Sequence, residues 1–204
     1  MMDLFDAQAL PDINLLPYDG EALYLGKIFD EQQSERHMQT LLKQISWSNE
    51  RIVVRGQTVT AGRKVAWYGD ANYSYVYSAT KKIALPWLPE LLPIKTQVEE
   101  KSAEFFNACL LNLYADGSQG MGWHSDAEKE LVAGASIASL SLGAERRFVF
   151  KHKRSQEKVE VHLPSGALLL MRGQTQQHWL HSLPKTTKTS QARLNLTFRR
   201  MHAQ

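Results

Sequence analysis

The chain has 204 residues, 43% of them apolar, and carries 24 Lys and Arg residues against 21 Asp and Glu residues. This length favours one domain, or one domain with an extension, around a good-sized hydrophobic core. No stretch approaches the ~20 apolar residues of a membrane span, and the acidic start "MMDLFDAQALPDINLLPYDG" lacks the basic region of a secretory signal. These features predict a cytoplasmic protein without a membrane segment. The single Cys109 lies in an apolar run, which predicts a packed core thiol.

The charge is divided unevenly along the chain. Residues 1–50 contain 3 basic and 9 acidic residues, whereas residues 144–204 contain 12 basic and 3 acidic residues. Lys and Arg contacts to phosphate groups supply most non-specific affinity for nucleic acid. The basic C-terminal part therefore indicates a surface that meets polyanions, although solvated strand faces explain the same composition equally well.

The first half of the chain mixes strand and helix patterns. "EALYLGKIF" reads as a strand, and "DEQQSERHMQTLLKQIS" predicts an amphipathic helix with Asp30 as its N-cap. "RIVVRGQTVT" predicts a strand and a turn, and it is followed by the aromatic-rich segment "GRKVAWYGDANYSYVYSA". "PWLPELLPIKTQVEEKSAEFFN" predicts a loop and then a helix.

From residue 108 the apolar period changes from about four to two. Seven short strand-like runs follow, separated by Gly, Pro, Asp or Ser: "ACLLNLY", "ASIASLSL", "RRFVFKH", "KVEVHL", "GALLLM", "HWLHSL" and "RLNLTFRR". Short strands at this spacing without intervening helices predict a sandwich or jelly roll over about residues 108–204. The whole chain is then a mainly β protein with α elements.

The segment "MGWHSDAE" places His124 and Asp126 two residues apart. Residues at this spacing share one face of a β-strand, so the pair is able to bind one ion from one side. The pattern also occurs by chance on solvated surfaces, and a metal site needs a further ligand.

Two further imidazoles, His178 and His181, lie in "HWLHSLPK". Three residues apart on a strand, they face opposite ways, so at most one joins His124 and Asp126, and the spacing alone does not choose between them. Two neutral imidazoles and one carboxylate leave the opposite coordination positions open. This set suits non-haem Fe(II), and zinc accepts it in hydrolases.

The run "RLNLTFR" alternates polar and apolar residues. The simplest interpretation is a half-buried strand with its polar side in water. Alternatively, the polar face lines the interior of the barrel, where Arg193 and Arg199 lean toward a small anion that chelates the metal. Guanidinium groups match carboxylates, and a dicarboxylate that chelates iron at one end and meets Arg at the other is 2-oxoglutarate.

Taken in order, several stretches resemble the AlkB family of Fe(II)/2-oxoglutarate dioxygenases, which reverse alkylation damage on nucleic-acid bases. The stretches, within residues 60–200, are "GRKVAWYGD", "YSYVYS", "NLYADG", "WHSDAE", "ASLSLGAERRFVFKHK", "LPSGALLLM", "HWLHSLPK" and "RLNLTFRR". The chain looks closest to the DNA-repair branch of the animal homologues. The resemblance implies a double-stranded β-helix (jelly-roll) core in residues 108–204. It also implies an N-terminal extension and nucleotide-recognition lid with supporting helices in residues 1–107, both parts forming one compact catalytic unit.

The resemblance also implies the roles of individual residues. The iron ligands implied are His124, Asp126 and His181. The residues implied around 2-oxoglutarate are Asn112, Tyr114, Arg193, Asn195, Thr197 and Arg199. Among these, Arg193 is expected to hold the distal carboxylate, and Arg199 is expected nearer the metal.

For the nucleotide, the resemblance implies contacts from Tyr75, Tyr77 and Glu128. Family members that act on duplexes insert an apolar finger into the gap left by the flipped base. The corresponding segment "VVRGQT" offers Val54 and Arg55 where an aromatic residue is expected. An Arg can stack in the gap or hold a phosphate, but it is a poorer wedge than Phe.

The reaction implied is oxidative demethylation of 1-methyladenine and 3-methylcytosine in DNA with Fe(II), 2-oxoglutarate and O₂, releasing formaldehyde, succinate and CO₂. The protein is expected to be a monomer whose partner is single- or double-stranded alkylated DNA, and RNA is a candidate partner. Two alternatives stay open: the same chemistry on RNA, a lipid or a protein side chain, and a non-catalytic nucleic-acid-binding module. The complete ligand set with both arginines argues against the second.

Overall fold

The computed structural model describes residues 13–54, 57–71, 73–77 and 80–202. The first elements are β1 (Glu21–Lys27), α1 (Glu31–Gln44), β2 (Ser48–Val54), β3 (Gln57–Gly69), β4 (Ser74–Tyr77), β5 (Thr80–Ile83), β6 (Leu85–Pro86) and α2 (Leu92–Ser102). They are followed by β7 (Ala108–Tyr114), β8 (Met121–His124), β9 (Ile137–Gly143), β10 (Arg146–His152), β11 (Lys158–Leu163), β12 (Ala167–Arg172), α3 (Thr175–His178), β13 (Trp179–Leu183) and β14 (Arg193–Arg199). Within these ranges, no helix has the length and apolar character needed to cross a membrane.

Two β-sheets form the body of the protein. The large sheet has the strand order β1-β12-β9-β14-β7-β3-β2, with β6 paired to β3, and the small sheet has the order β11-β10-β13-β8. Side chains from both sheets meet in one apolar cluster, in which Phe150 and Trp179 of the small sheet join Leu169 and Met171 of the large sheet. The result is a jelly roll, and β4 and β5 form a separate two-stranded pair.

The two longer helices cover the other face of the large sheet. Met38 and Leu41 of α1 and Ile94 of α2 belong to the same buried cluster as Leu194 and Leu196 of β14. The apolar side chains of β14 therefore face the helices, and its polar side chains point between the two sheets. This alternation positions the site, because buried faces on both sides fix the strand register.

The predicted elements are mostly confirmed. The N-terminus of α1 is capped by Asp30, which accepts a hydrogen bond from the Gln33 backbone N–H at 2.7 Å while the Gln33 side chain accepts one from the Asp30 N–H at 3.0 Å. Each of the seven runs predicted after residue 107 contributes a strand. The structure adds β8, whose sequence "MGWH" does not alternate.

The prediction that His178 lies on a strand is wrong. His178 ends the short helix α3, and β13 begins at the next residue. Polar residues dominate this segment, and the Thr175 hydroxyl holds its turn by contacting the carbonyl oxygens of Arg172 at 2.7 Å and Glu21 at 2.9 Å.

The large sheet crosses the predicted boundary between residues 107 and 108. Strand β3 pairs with β7 from Lys64↔Leu113 to Gly69↔Ala108, and β1 pairs with β12. The N-terminal part thus contributes strands to the same sheet as the C-terminal part. The division into residues 1–107 and 108–204 stays a prediction.

Candidate metal centre and active site

Three side chains converge at one end of the small sheet. His124 is the last residue of β8 and lies directly opposite His181 of β13 in the antiparallel register, and Asp126 follows two residues after β8. One ligand atom of each lies within 4.8 Å of the others. Asp126 and His181 are buried, and His124 is half-buried. The structure therefore brings together the three residues that the resemblance implies as iron ligands.

The surroundings of the His124 and His181 rings suit metal binding. His124 Nδ1 lies 2.9 Å from the Gly122 carbonyl oxygen, and in the tautomer that donates to this oxygen the Nε2 lone pair can bind a metal. His181 Nε2 lies 3.8 Å from Asp126 Oδ2, and its buried Nδ1 has no hydrogen-bond partner among the described residues. Phe148 stacks on the His181 ring at 5.4 Å between ring centroids. Two imidazoles and a carboxylate whose ligand atoms lie this close together fit a divalent cation such as Fe(II).

The protonation states of the buried pair also suit a metal. Burial, with the charge of His124, lowers the pKa of His181 to about 3, against an opposing effect of Asp126. For Asp126, burial raises the pKa, but the charges of Arg199, His181 and His124 outweigh it, so the pKa is lowered overall. The fold thus favours a neutral imidazole beside an ionised carboxylate, the forms that bind metals.

The polar face of β14 lines the cavity beside this triad. The cavity wall includes Asn112 and Tyr114 of β7 and Arg193, Asn195, Thr197 and Arg199 of β14. In the sheet, Arg193 pairs with Tyr114 and Asn195 pairs with Asn112. The interpretation of "RLNLTFR" as a strand with its polar side in water is therefore wrong.

Arg193 is a buried cation at the opposite end of β14 from Arg199. Its guanidinium donates a hydrogen bond to the Ser141 hydroxyl at 2.8 Å and lies 5.8 Å from the Tyr114 ring centroid. Burial lowers its pKa to about 10, so it is still charged at neutral pH. Its buried Nε has no hydrogen-bond partner in the described part of the chain. A desolvated guanidinium with an unused N–H fits a carboxylate, as 2-oxoglutarate supplies.

Arg199 occupies the metal end of the same strand. It donates a hydrogen bond to Asp126 Oδ1 at 2.8 Å, and its second terminal nitrogen lies 3.7 Å from Glu128 Oε1. The Asp126 backbone N–H also donates to Gln176 Oε1 at 2.9 Å. Asp126 is thus held on both its side chain and its backbone, which directs its other carboxylate oxygen toward the histidines.

The predicted nucleotide contacts are only partly described. Glu128 lines the cavity, and its buried Oε2 has no hydrogen-bond partner among the described residues. Tyr75 and Tyr77 lie in β4, but their side chains are outside the described part of the structure. Arg55 lies outside the described residues altogether.

Several polar residues in or next to this cavity were not predicted from the sequence. Arg63 of β3 is buried and donates a hydrogen bond from Nε to Asn112 Oδ1 at 3.0 Å. Ser139 of β9 contacts the Asn195 side-chain amide at 2.8 Å, and Ser141 contacts Arg193. The two serines alternate with apolar residues in "ASIASLSL", so the period-two signal was available, but it did not identify the face turned toward the cavity.

The sequence matches the model of the 2OG-Fe(II) oxygenase superfamily over residues 21–199. It is 38% identical to the human protein named DNA oxidative demethylase ALKBH2 over 185 residues, covering 85% of this chain and 71% of the relative. The mouse protein of that name is 34% identical over 202 residues, covering 94% and 84%. Mouse alpha-ketoglutarate-dependent dioxygenase alkB homolog 3 is 33% identical over 210 residues, covering 98% and 73%.

The fold is also similar to a solved structure, that of OsALKBH1. The two superpose with a TM-score of 0.66 at 18% sequence identity, covering 91% of this chain and 99% of the other. At this identity the likeness concerns the fold, and it agrees with the jelly-roll arrangement of the sheets.

Proposed function

This chain belongs to the AlkB family within the 2OG-Fe(II) oxygenase superfamily and is a dioxygenase that needs Fe(II) and 2-oxoglutarate, and we propose that it oxidatively demethylates alkylated bases in DNA. The substrates we propose are 1-methyladenine and 3-methylcytosine, and the products are the repaired base, formaldehyde, succinate and CO₂. Relatives named as DNA oxidative demethylases support this choice of substrate.

The proposal rests on the side chains that line one cavity. The triad of His124, Asp126 and His181 shares this cavity with the buried cation Arg193 and with Glu128, whose Oε2 is buried and unpartnered among the described residues. Demethylation of a charged base requires three sites. One binds the metal, one binds the carboxylate of 2-oxoglutarate, and one accepts a hydrogen bond or a positive charge from the base.

The residues of the chain bind and orient the reactants. When bound, Fe(II) supplies the oxidising chemistry that hydroxylates an N-methyl group with 2-oxoglutarate and O₂ as co-reactants. We assign His124, Asp126 and His181 to the metal, and Arg193 to the distal carboxylate of 2-oxoglutarate. Asn112, Tyr114, Asn195 and Thr197 line the wall between these ends, and Arg199 orients Asp126.

Glu128 is the residue of this cavity suited to recognise the base. Methylation at N1 of adenine or N3 of cytosine gives the ring a positive charge. A carboxylate oxygen stabilises that charge and accepts a hydrogen bond from the exocyclic amino group. The ion contact of Glu128 Oε1 with Arg199, at 3.7 Å, leaves Oε2 for this purpose. We assign Tyr75 and Tyr77 to aromatic contacts with the flipped nucleotide.

The methylated edge of a base is inaccessible inside a duplex, so the nucleotide must leave the stack before it reaches this cavity. We propose that a lid within residues 1–107 receives the flipped nucleotide, in addition to the strands and helices that this part of the chain contributes to the core. Extrusion costs less from a single strand. The segment "VVRGQT", which corresponds to the finger of duplex-acting family members, offers Arg55 rather than an aromatic wedge. Single-stranded DNA is therefore expected to be repaired at least as fast as duplex DNA.

Formaldehyde release from matched methylated oligonucleotides tests the proposal. Single-stranded DNA, duplex DNA and RNA of one sequence, each with one 1-methyladenine, are compared at one stated salt concentration, because salt screening shifts affinity for all three. The proposal predicts turnover of both DNA forms. Turnover of RNA alone would favour the alternative substrate, and none with any oligonucleotide would contradict the proposal. That the protein is cytoplasmic and monomeric stays a prediction.

A further inference from the structure

A second group of metal-binding side chains lies outside the active-site cavity. In the described part of the chain, Asp19, His152 and His178 place one ligand atom each within 4.8 Å of one another. They come from three separate segments: the turn before β1, the end of β10, and the end of α3. Asp19 Oδ2 lies 3.3 Å from His152 Nε2, and the two imidazole rings are nearly parallel with centroids 6.3 Å apart.

His152 is the member of the group that points to a ligand. It is 4% exposed, and its Nε2 atom is buried without a hydrogen-bond partner among the described residues. Buried polar atoms are nearly always hydrogen-bonded, so such an atom aimed at a second imidazole and a carboxylate needs an explanation. The Asp19 side chain is 51% exposed, so one side of the group is open to water and to an entering ion.

The environment of His152 Nδ1 allows the ring to act as a ligand. This atom lies 3.0 Å from both the backbone nitrogen and the hydroxyl oxygen of Ser155. Without an ion, the Ser155 N–H donates to Nδ1, and the proton of the neutral ring sits on Nε2, facing Asp19. With an ion on Nε2, the proton sits on Nδ1 and is donated to Ser155 Oγ, and the Ser155 N–H has to give up Nδ1 as its acceptor. An oxygen in this position orients many histidine ligands of metals.

The donor set also indicates the kind of ion. Metal–nitrogen and metal–oxygen bonds of about 2.0–2.2 Å separate neighbouring ligand atoms by roughly 3–3.5 Å, and the Asp19–His152 distance of 3.3 Å falls in this range. Two imidazoles and one carboxylate suit a first-row transition cation such as Zn²⁺, whereas Ca²⁺ and Mg²⁺ prefer oxygen ligands.

We infer that Asp19, His152 and His178 form a second, structural site for a divalent transition-metal cation, with Zn²⁺ as the fitting ion. A bound ion ties the turn before β1 to the small sheet at the start of β13, the strand that carries His181. The same region already contains a hydrogen bond from the Trp179 indole to the Tyr18 carbonyl oxygen at 2.9 Å and contacts of the Tyr18 hydroxyl at 2.7 Å with Ser155 and Glu157. The ion therefore stabilises an existing junction rather than creating one.

Zinc stoichiometry of the chelator-stripped full-length chain tests this site. Equilibrium dialysis with elemental analysis is expected to give two Zn²⁺ per chain: one at the triad and one at the second site. Asp19→Asn keeps the size of the side chain and tolerates the positive φ of 51° at this position. It is expected to weaken binding of the second ion by at least about 10-fold, by analogy with losses at supporting residues of metal sites. His178→Gln is expected to do the same.

Two control chains make the result specific to this group. Glu145→Gln removes an exposed carboxylate 3.1 Å from His162, a pair outside the three-ligand group, and is expected to keep both ions. His124→Ala/Asp126→Asn removes two of the three triad ligands and is expected to keep one ion, with zinc still raising the melting temperature. Adding Asp19→Asn to this variant is expected to shift that rise to zinc concentrations at least about 10-fold higher. This arm separates the second site from the proposed demethylase site. One Zn²⁺ in the wild type, or a second ion whose affinity is unchanged in both Asp19→Asn and His178→Gln, would overturn the inference and leave only a contact between His152 and Asp19.

Discussion

At the scale of single residues, the two arginines of β14 are six positions apart and face the same cavity, yet their neighbours give them different tasks. Arg199 is already engaged with Asp126 at 2.8 Å, so its charge supports the proposed metal ligand. Arg193 has a hydroxyl and an aromatic ring as neighbours, and in the described chain it forms no ion pair with a carboxylate. Arg193, whose charge is not balanced by a carboxylate among the described residues, is therefore the cation that is available to an anionic cosubstrate.

Loss of the Arg193 guanidinium is expected to weaken 2-oxoglutarate binding. Arg193→Ala should raise the concentration of 2-oxoglutarate needed for half-maximal turnover by roughly 10- to 150-fold, since a lost charge-assisted hydrogen bond costs about 1.5–3 kcal/mol. The measurement is a 2-oxoglutarate titration at saturating methylated DNA. Arg147→Ala, which removes an exposed arginine paired with Glu160, is the matched control and should leave the titration unchanged. An unshifted curve for Arg193→Ala would contradict the assignment.

The triad gives a second prediction at this scale. His181→Ala should abolish iron-dependent turnover, because the remaining His124 and Asp126 leave the ion with two protein ligands. His162→Ala removes an exposed imidazole and should keep wild-type turnover. The assay is formaldehyde release at saturating Fe(II), with circular dichroism to show that both variants are folded. Iron-dependent turnover that survives in His181→Ala would show that the metal is held elsewhere.

At the scale of elements, alternation along the strands explains what the sequence could predict. The alternation in "RLNLTFR" predicts a strand with one polar and one apolar face, but it does not determine whether the polar face meets water or the interior. Strand β8 was missed because "MGWH" has no such pattern and pairs only along one edge of the small sheet. Spacing alone left the choice between His178 and His181 open. The resemblance implies His181, and the register of β13 against β8, which places His181 opposite His124, agrees with it.

The core position of β14 predicts a large stability effect. Leu196 is fully buried between the large sheet and the helices, so Leu196→Ala should lower the free energy of unfolding by about 2–5 kcal/mol through lost burial and a cavity. Denaturant unfolding of the metal-free chain measures this change. Leu92→Ala, at an exposed apolar position of α2, should have little effect. A loss below about 1 kcal/mol for Leu196→Ala would mean that the core relaxes around this strand.

The hairpin of β2 and β3 carries the prediction about duplex DNA. These strands pair as far as Val54 and Gln57, and the sequence places Arg55 next along the chain. Arg55→Phe should raise the ratio of duplex to single-strand repair rates, because an aromatic side chain is a better wedge for the gap left by a flipped base. Initial rates on matched oligonucleotides give this ratio. A strong duplex preference in the wild type that Arg55→Phe leaves unaltered would place the wedge elsewhere.

At the scale of the whole molecule, the basic C-terminal part is less basic at the surface than its composition suggests. Arg146, Arg193 and Arg199 are buried, and they serve the interior rather than a partner. Arg146, for example, donates hydrogen bonds to the carbonyl oxygens of Gln119 at 2.9 Å and Pro184 at 2.8 Å, which joins two loops. Composition could not reveal this, because burial of a charge depends on tertiary contacts. Lys158, Lys185 and Lys188 of the same region are exposed.

The central claim is that this cavity couples 2-oxoglutarate consumption to removal of a methyl group from a DNA base. The most direct measurement is mass spectrometry of a single-stranded oligonucleotide with one 1-methyladenine, incubated with the protein, Fe(II), 2-oxoglutarate and O₂, with succinate quantified in the same sample. We expect the oligonucleotide to lose the mass of one methylene group with one succinate formed per base repaired, and Asp126→Asn to show neither change. Succinate formation with an unaltered oligonucleotide, or equal repair by Asp126→Asn, would contradict the claim.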